Sequence, residues 1–235
     1  MNLLANFLTS ASLFCGFASI LFSLKHHFTF ACWAIIFSVI LDVLDGQIAK
    51  QNPISSPFGK EFDSLVDVVS FGIAPAILGY VFIYRDLYLY AAGALFLYLF
   101  SSVVRLAKYN ITPKEEMVNC FYGLPTAASG GVLASFILIF RKKEGILLPS
   151  CLPVIFMAVV LILAFLMVSR LRYLNLDGFQ ELLGLKFKFA VFALVLFLIL
   201  VTSLNKAGVS IFTFFLIYLF FSPSVVKRLN SHQPR

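Results

Sequence analysis

Eight apolar stretches, residues 7–24, 28–48, 62–84, 87–107, 121–140, 148–169, 187–204 and 207–223, take up most of this 235-residue chain and leave no length for a separate soluble domain. Each runs about 17 to 25 residues, the length an α-helix needs to cross ~30 Å of hydrocarbon. In lipid every backbone N–H and C=O has to be satisfied within the chain, so such stretches are expected as helices. Composition agrees: 61% of the residues are hydrophobic and 12% charged, against about half and a quarter in a soluble domain. The expected fold class is all-α integral membrane, one transmembrane domain over residues 1–235 with about eight spanning helices.

The first stretch has no Lys or Arg before it and no small-residue cleavage site after it, so it is expected to be retained rather than removed as a signal peptide. With a cytoplasmic N-terminus, 12 of the 18 Lys and Arg fall on the cytoplasmic side and 6 on the other. The positive-inside rule therefore places both termini in the cytoplasm, with Arg141, Lys142 and Lys143 as the dissenting cluster. The net charge of +7 is spread over these connecting segments. That distribution speaks for topology and anionic lipid headgroups rather than for nucleic-acid binding. Cys15, Cys32, Cys120 and Cys151 show no CxxC spacing and read as small apolar fillers, and His26 and His27 read as part of a short external turn. Arg170, Arg172, Asp177 and Glu181 belong to the longest polar loop, expected as an interfacial amphipathic segment.

Against this background four carboxylates stand out: Asp42 and Asp45 in DVLDGQIAK, and Asp63 and Asp67 in GKEFDSLVD. An ionised carboxylate at membrane depth costs about 3 kcal/mol on insertion scales, so four in one hairpin require a compensating cation. At 100° per residue Asp42, Asp45, Gly46 and Ala49 share a stripe of one helix, and Gly59, Asp63 and Asp67 share a stripe of the next. The short connection Gln51–Pro57, rich in turn formers, makes the two helices antiparallel neighbours whose acidic ends can meet. Capping, or pairing with Lys50 and Lys60, accounts for a single Asp at a helix end but not for four at this spacing.

Hard divalent cations take oxygen ligands, and no His or Cys is interleaved with the four aspartates, so one or two Mg²⁺ or Mn²⁺ ions fit better than zinc. Such an ion usually shares its coordination sphere with substrate phosphates, which points to a diphosphate-bearing guest. Gly46, Ala49 and Gly59 keep side chains small beside the carboxylates, and Lys50 and Lys60 add positive charge nearby.

In these residues the chain resembles the CDP-alcohol phosphatidyltransferase family, whose signature is DxxDGxxAR followed about eight residues later by GxxxDxxxD. Lys50 stands where that signature has Arg, keeping the charge but losing the bidentate fork. Phe58–Ala76, RLAKYN (Arg105–Asn110), FYGLPT (Phe121–Thr126) and the amino-terminal NFLTSASLFCG (Asn6–Gly16), with Ser12 where Asn is usual, are similar to the phosphatidylserine synthase branch. The likeness covers roughly residues 6–130; the distal helices share only architecture.

The resemblance implies helices around a cytoplasm-facing polar cavity, a homodimer in the cell (inner) membrane, and dependence on Mg²⁺ or Mn²⁺. It implies that Asp42, Asp45, Asp63 and Asp67 bind metal, that Asp67 also serves as general base, and that Gly46, Ala49, Lys50, Ser56 and Gly59 line the CDP and phosphate site. The implied reaction transfers a phosphatidyl group from CDP-diacylglycerol to the hydroxyl of L-serine, giving phosphatidylserine and CMP. For the acceptor, Arg105 suits the serine carboxylate and Glu61 and Asn110 the ammonium. Other acceptor alcohols (glycerol 3-phosphate, inositol phosphate, choline) and an archaeal ether lipid remain open. A membrane prenyltransferase places its two acidic motifs far apart in the chain, and a cation-coupled transporter would show acidic residues deep in several spans or internal repeats. Neither pattern is present in this sequence.

Overall fold

The structure is a computed structural model that describes residues 3–51, 57–83, 88–112, 120–140, 151–174 and 207–231. Helices α1 (Leu3–Leu24) and α2 (Phe28–Gln51) form a hairpin. A polar helix α3 (Pro57–Asp67) continues through a π-helical turn (Val68–Ile73) into the apolar α4 (Ala74–Ile83). Then follow α5 (Tyr88–Ile111), α6 (Thr126–Phe140), α7 (Leu152–Val168) and α8 (Ala207–Ser231). Four segments, Leu4–Leu24, Phe28–Ile48, Phe58–Ile83 and Leu89–Ile111, are long and apolar enough to cross a membrane, and α6, α7 and Gly208–Phe220 are shorter apolar helices. The protein is a multi-pass membrane protein. The apolar stretch 187–204 and the polar segment holding Asp177 and Glu181 lie outside the described residues.

Helix is not quite the whole story. Strand β1 (Cys120–Tyr122) pairs antiparallel with β2 (Arg172–Leu174), Phe121 opposite Tyr173. The apolar stretch expected from residue 121 therefore becomes helical only at Thr126. The delay has a local cause: Gly123 takes φ +75°, and a Cβ there would run into the Met167 carbonyl oxygen. Only glycine adopts that backbone without strain at such close approach. Gly123 N–H then bonds to Leu171 O at 2.8 Å and Leu124 N–H to Leu166 O at 3.0 Å, tying the start of α6 to the end of α7. Arg172, expected in a polar loop, lies in β2, its guanidinium 5.3 Å from the centroid of the Tyr122 ring and donating to the Tyr122 hydroxyl at 3.1 Å.

The α1–α2 hairpin turns at His26, the non-glycine residue with positive φ among the described residues. Between its arms small hydroxyl residues replace large apolar ones: Ser12 and Ser38 Oγ lie 2.7 Å apart, and Ser19 Oγ donates to Ala31 O at 2.9 Å. Small hydroxyl residues let helices approach closely where lipid offers no hydrophobic drive for association. Helix α6 fills the interior, buried continuously from Ala128 to Leu138 against α2, α4 and α8. Outward, Phe7, Phe14 and Phe17 of α1 and Phe96 and Phe100 of α5 are exposed, as side chains facing lipid are. Cys15 and Cys151 are free thiols, and Cys32 is buried between the helices.

Candidate active site

Asp42 near the end of α2 and Asp63 and Asp67 on one stripe of α3 come together: each offers a carboxylate oxygen, and the three oxygens lie within 4.8 Å of one another. Oxygen ligands sit about 2.0–2.6 Å from Mg²⁺ or Ca²⁺-sized ions, so opposite ligands in one sphere are about 4–5 Å apart. The trio thus matches one hard divalent cation in both donor type and spacing. The i, i+4 relation of Asp63 and Asp67 supplies two of the ligands from one helix face, and the antiparallel return of the chain supplies the third.

Asp45 stands apart from this trio. It is 4% exposed, and its Oδ2 accepts a hydrogen bond from Thr9 Oγ1 at 2.7 Å. Thr9 also donates to Ala5 O at 3.0 Å, a shared arrangement that anchors the hydroxyl on α1. Gly46, beside Asp45, is exposed, and nothing described lies within 4 Å of where its Cβ would be. The carboxylate face of α2 is therefore open to a ligand at that point. Gly59 is half-buried in the first turn of α3. Ala49 and Lys50 belong to the last turn of α2 with their side chains outside the described set, and Ser56 lies outside the described residues.

Arg105 reaches the trio from α5. It is 8% exposed, its Nη1 donates to Thr126 Oγ1 at 3.2 Å, and Thr126 Oγ1 in turn lies 3.5 Å from Asp67 Oδ2. Its guanidinium carbon sits 5.9 Å from the centroid of the Tyr109 ring, within cation–π range. Its Nε has no partner among the described residues. A buried, unpaired guanidinium N–H is costly, and a substrate anion is one way to satisfy it. Gln47 Nε2, on the turn between Asp45 and the end of α2, is likewise buried and unpaired among the described residues.

Glu61 and Asn110 are placed differently. Glu61 is exposed on the side of α3 opposite the Asp63–Asp67 stripe. Asn110 binds α3: its side-chain amide and Ser64 Oγ are 3.0–3.2 Å apart, and Lys60 Nζ donates to its backbone carbonyl at 2.9 Å. Sequence reasoning did not single out Thr9, Gln47, Tyr98 or Thr126. Thr9 and Thr126 lie within motifs it quoted, whereas Tyr98 sits in an aromatic run with no motif at all.

A sequence model of the family described as CDP-alcohol phosphatidyltransferase matches residues 2–167, which hold the trio, Asp45, Thr9, Arg105 and Thr126. The chain belongs to the CDP-alcohol phosphatidyltransferase family. As a member of it the protein is a transferase. Among its relatives, the CDP-diacylglycerol–serine O-phosphatidyltransferase of Helicobacter pylori strain 26695 is 33% identical over 220 residues, 93% of this chain and 90% of that protein. The enzyme of the same name from Bacillus subtilis is 28% identical over 74% of this chain and 90% of its own length. The archaetidylserine synthase of Methanothermobacter thermautotrophicus is 30% identical over 69% of this chain and 66% of its own. The family match ends before α8, so the last helix packs against the site's scaffold without contributing to the shared signature.

Proposed function

We propose that this protein is a CDP-diacylglycerol–serine O-phosphatidyltransferase, transferring a phosphatidyl group to L-serine with release of CMP. The observation that carries the reading is the convergence of Asp42, Asp63 and Asp67 within 4.8 Å inside a membrane helix pair. It is supported by family membership and by relatives of that name that align along nearly the whole chain. Divalent-metal dependence, one or two ions of Mg²⁺ or Mn²⁺, follows from the same trio, and Asp45, oriented by Thr9, completes the set.

A bound divalent ion supplies charge neutralisation on the diphosphate oxygens and on the departing phosphate. The chain's own residues do the rest. The acyl tails stay in lipid while Gly46, Ala49, Lys50, Ser56 and Gly59 border the CDP moiety, with Gly46 leaving α2 open there. Arg105, with its unpaired Nε, takes the serine carboxylate, and Thr126 holds the guanidinium beside Asp67. The serine hydroxyl oxygen forms a bond to the phosphorus that bears diacylglycerol, the bond from that phosphorus to the CMP oxygen breaks, and Asp67 accepts the hydroxyl proton. For the serine ammonium the reading keeps Asn110, at the α3–α5 contact, and Glu61, exposed on α3.

The full architecture in this reading is a single domain over residues 1–235, eight spanning helices around a cytoplasm-facing cavity. The protein works as a homodimer in the cell (inner) membrane with both termini cytoplasmic. The direct test is CMP release by purified protein given CDP-diacylglycerol and Mn²⁺ or Mg²⁺, with L-serine, glycerol 3-phosphate, inositol phosphate or choline offered separately. Release that depends on serine and metal is expected. Release with another alcohol alone keeps the family and discards the acceptor.

A further inference from the structure

Pro75 has no backbone N–H and lies four residues after Phe71, so the Phe71 carbonyl lacks its α-helical donor. The helix widens at this place into the π turn Val68–Ile73, where Ala74 N–H bonds to Val69 O, five residues back. The Phe71 carbonyl is met instead by a side chain of α5: Tyr98 Oη donates to it at 2.8 Å. Tyr98 is fully buried, Ser129 Oγ lies 3.0 Å from its phenol oxygen, and Ser129 Oγ donates to Thr126 O at 2.8 Å. On its other side the turn is pinned to α1, where Ser70 Oγ donates to Ser12 O at 3.2 Å. Gly16 permits that contact, since a Cβ there would lie 2.8 Å from Ser70 Cα. Asp67 is the residue immediately before the turn. Relaxing the turn to α-helix would shift the register by about one residue and swing α3 relative to α4 by roughly 100°.

We propose that Tyr98 is a positioning residue for Asp67: its phenol stands in for the N–H that Pro75 lacks and thereby holds the wide turn that aims α3's carboxylates at Asp42. The inference rests on the reading of Asp67 as part of the metal and proton-accepting machinery. The phenol acts only through the backbone and touches neither substrate nor carboxylate.

The experiment is Tyr98→Phe in the full-length protein, read first by Mn²⁺ binding without substrate, from loss of the free-ion paramagnetic resonance signal, and then by steady-state CMP release. Losing one oriented hydrogen bond and displacing a ligand by a fraction of an ångström is expected to weaken Mn²⁺ binding about tenfold and lower kcat about tenfold, with the serine KM within about twofold. A merely structural role lowers the folded fraction and leaves the Mn²⁺ affinity of the folded molecules unchanged; that result overturns the proposal. Pro75→Ala, which returns a backbone donor and lets the turn relax, approaches from the other side and is expected to weaken Mn²⁺ binding as well. Should Tyr98→Phe fail to fold, wild-type Mn²⁺ affinity in Pro75→Ala sinks the idea by itself. Asp67→Asn measured alongside separates the two levels. If it keeps full affinity and turnover, the reading of Asp67 falls and takes the inference with it. If it loses both while Tyr98→Phe and Pro75→Ala lose neither, only the role of Tyr98 is wrong.

Discussion

Helices α3 and α6 belong to one bundle and are built on opposite terms. Every residue of α6 from Ala128 to Leu138 is buried, and the helix carries no charge. In α3, Phe58, Lys60, Glu61 and Leu65 are exposed while Asp63 and Asp67 turn toward Asp42. The first helix is satisfied by its neighbours alone. The second brings like charges together inside a membrane protein, an arrangement that carries a standing cost until a cation is present. The difference separates where this protein keeps its stability from where it keeps its chemistry, and each helix is expected to fail in its own way.

The sharpest break is metal removal. Chelation is expected to abolish CMP release completely and Mn²⁺ or Mg²⁺ to restore it, with the helical circular dichroism signal unchanged because α6 and its partners do not depend on the ion. Asp67→Asn comes next, with a loss of about a thousandfold in kcat, since one change removes both a ligand and the proton acceptor. Its thermal midpoint should not fall, as one of three crowded carboxylates is removed. Activity within tenfold of wild type would show that α3 is a scaffold like α6. Arg105→Lys is expected to raise the serine KM about tenfold or more while the KM for CDP-diacylglycerol moves less than about threefold, because an ammonium keeps the charge and loses the fork. Thr9→Val, which frees Asp45 Oδ2, should cost about threefold to tenfold in Mn²⁺ affinity, the net worth of one ordinary intramolecular hydrogen bond. Leu133→Ala in α6 inverts the pattern. It should lose about 2–5 kcal/mol of stability, seen as a lowered thermal midpoint, while kcat per folded molecule stays within about twofold.

Much of this contrast was legible in the residues. The α2 and α3 stripes follow from 3.6-residue periodicity, and the antiparallel return follows from the short Gln51–Pro57 connection, so the sequence alone predicts the meeting of Asp42 with Asp63 and Asp67. Asp45 is expected with them; its Oδ2 accepts from Thr9, because a residue three positions on is rotated by 300° and reaches α1 as well. The strand pair β1–β2 escaped notice because three-residue strands have no periodicity to detect, and their partner lies about fifty residues away. Tyr98 escaped for a related reason. Among so many aromatic residues a phenol carries no signal until the carbonyl it meets is known.

By itself the sequence determined the membrane class, the family and the chemical character of the site. Hydrophobic length, carboxylate spacing and motif residues are local properties that need no folded partner to be read. Only the tertiary structure decided which oxygens converge, that Arg105 is buried against Thr126 with a donor unspent, and that a phenol from α5 takes the carbonyl beside Pro75. Those are relations between helices far apart in the chain, set by packing and by the demand that every buried polar group find a partner, and no single stretch of sequence contains them.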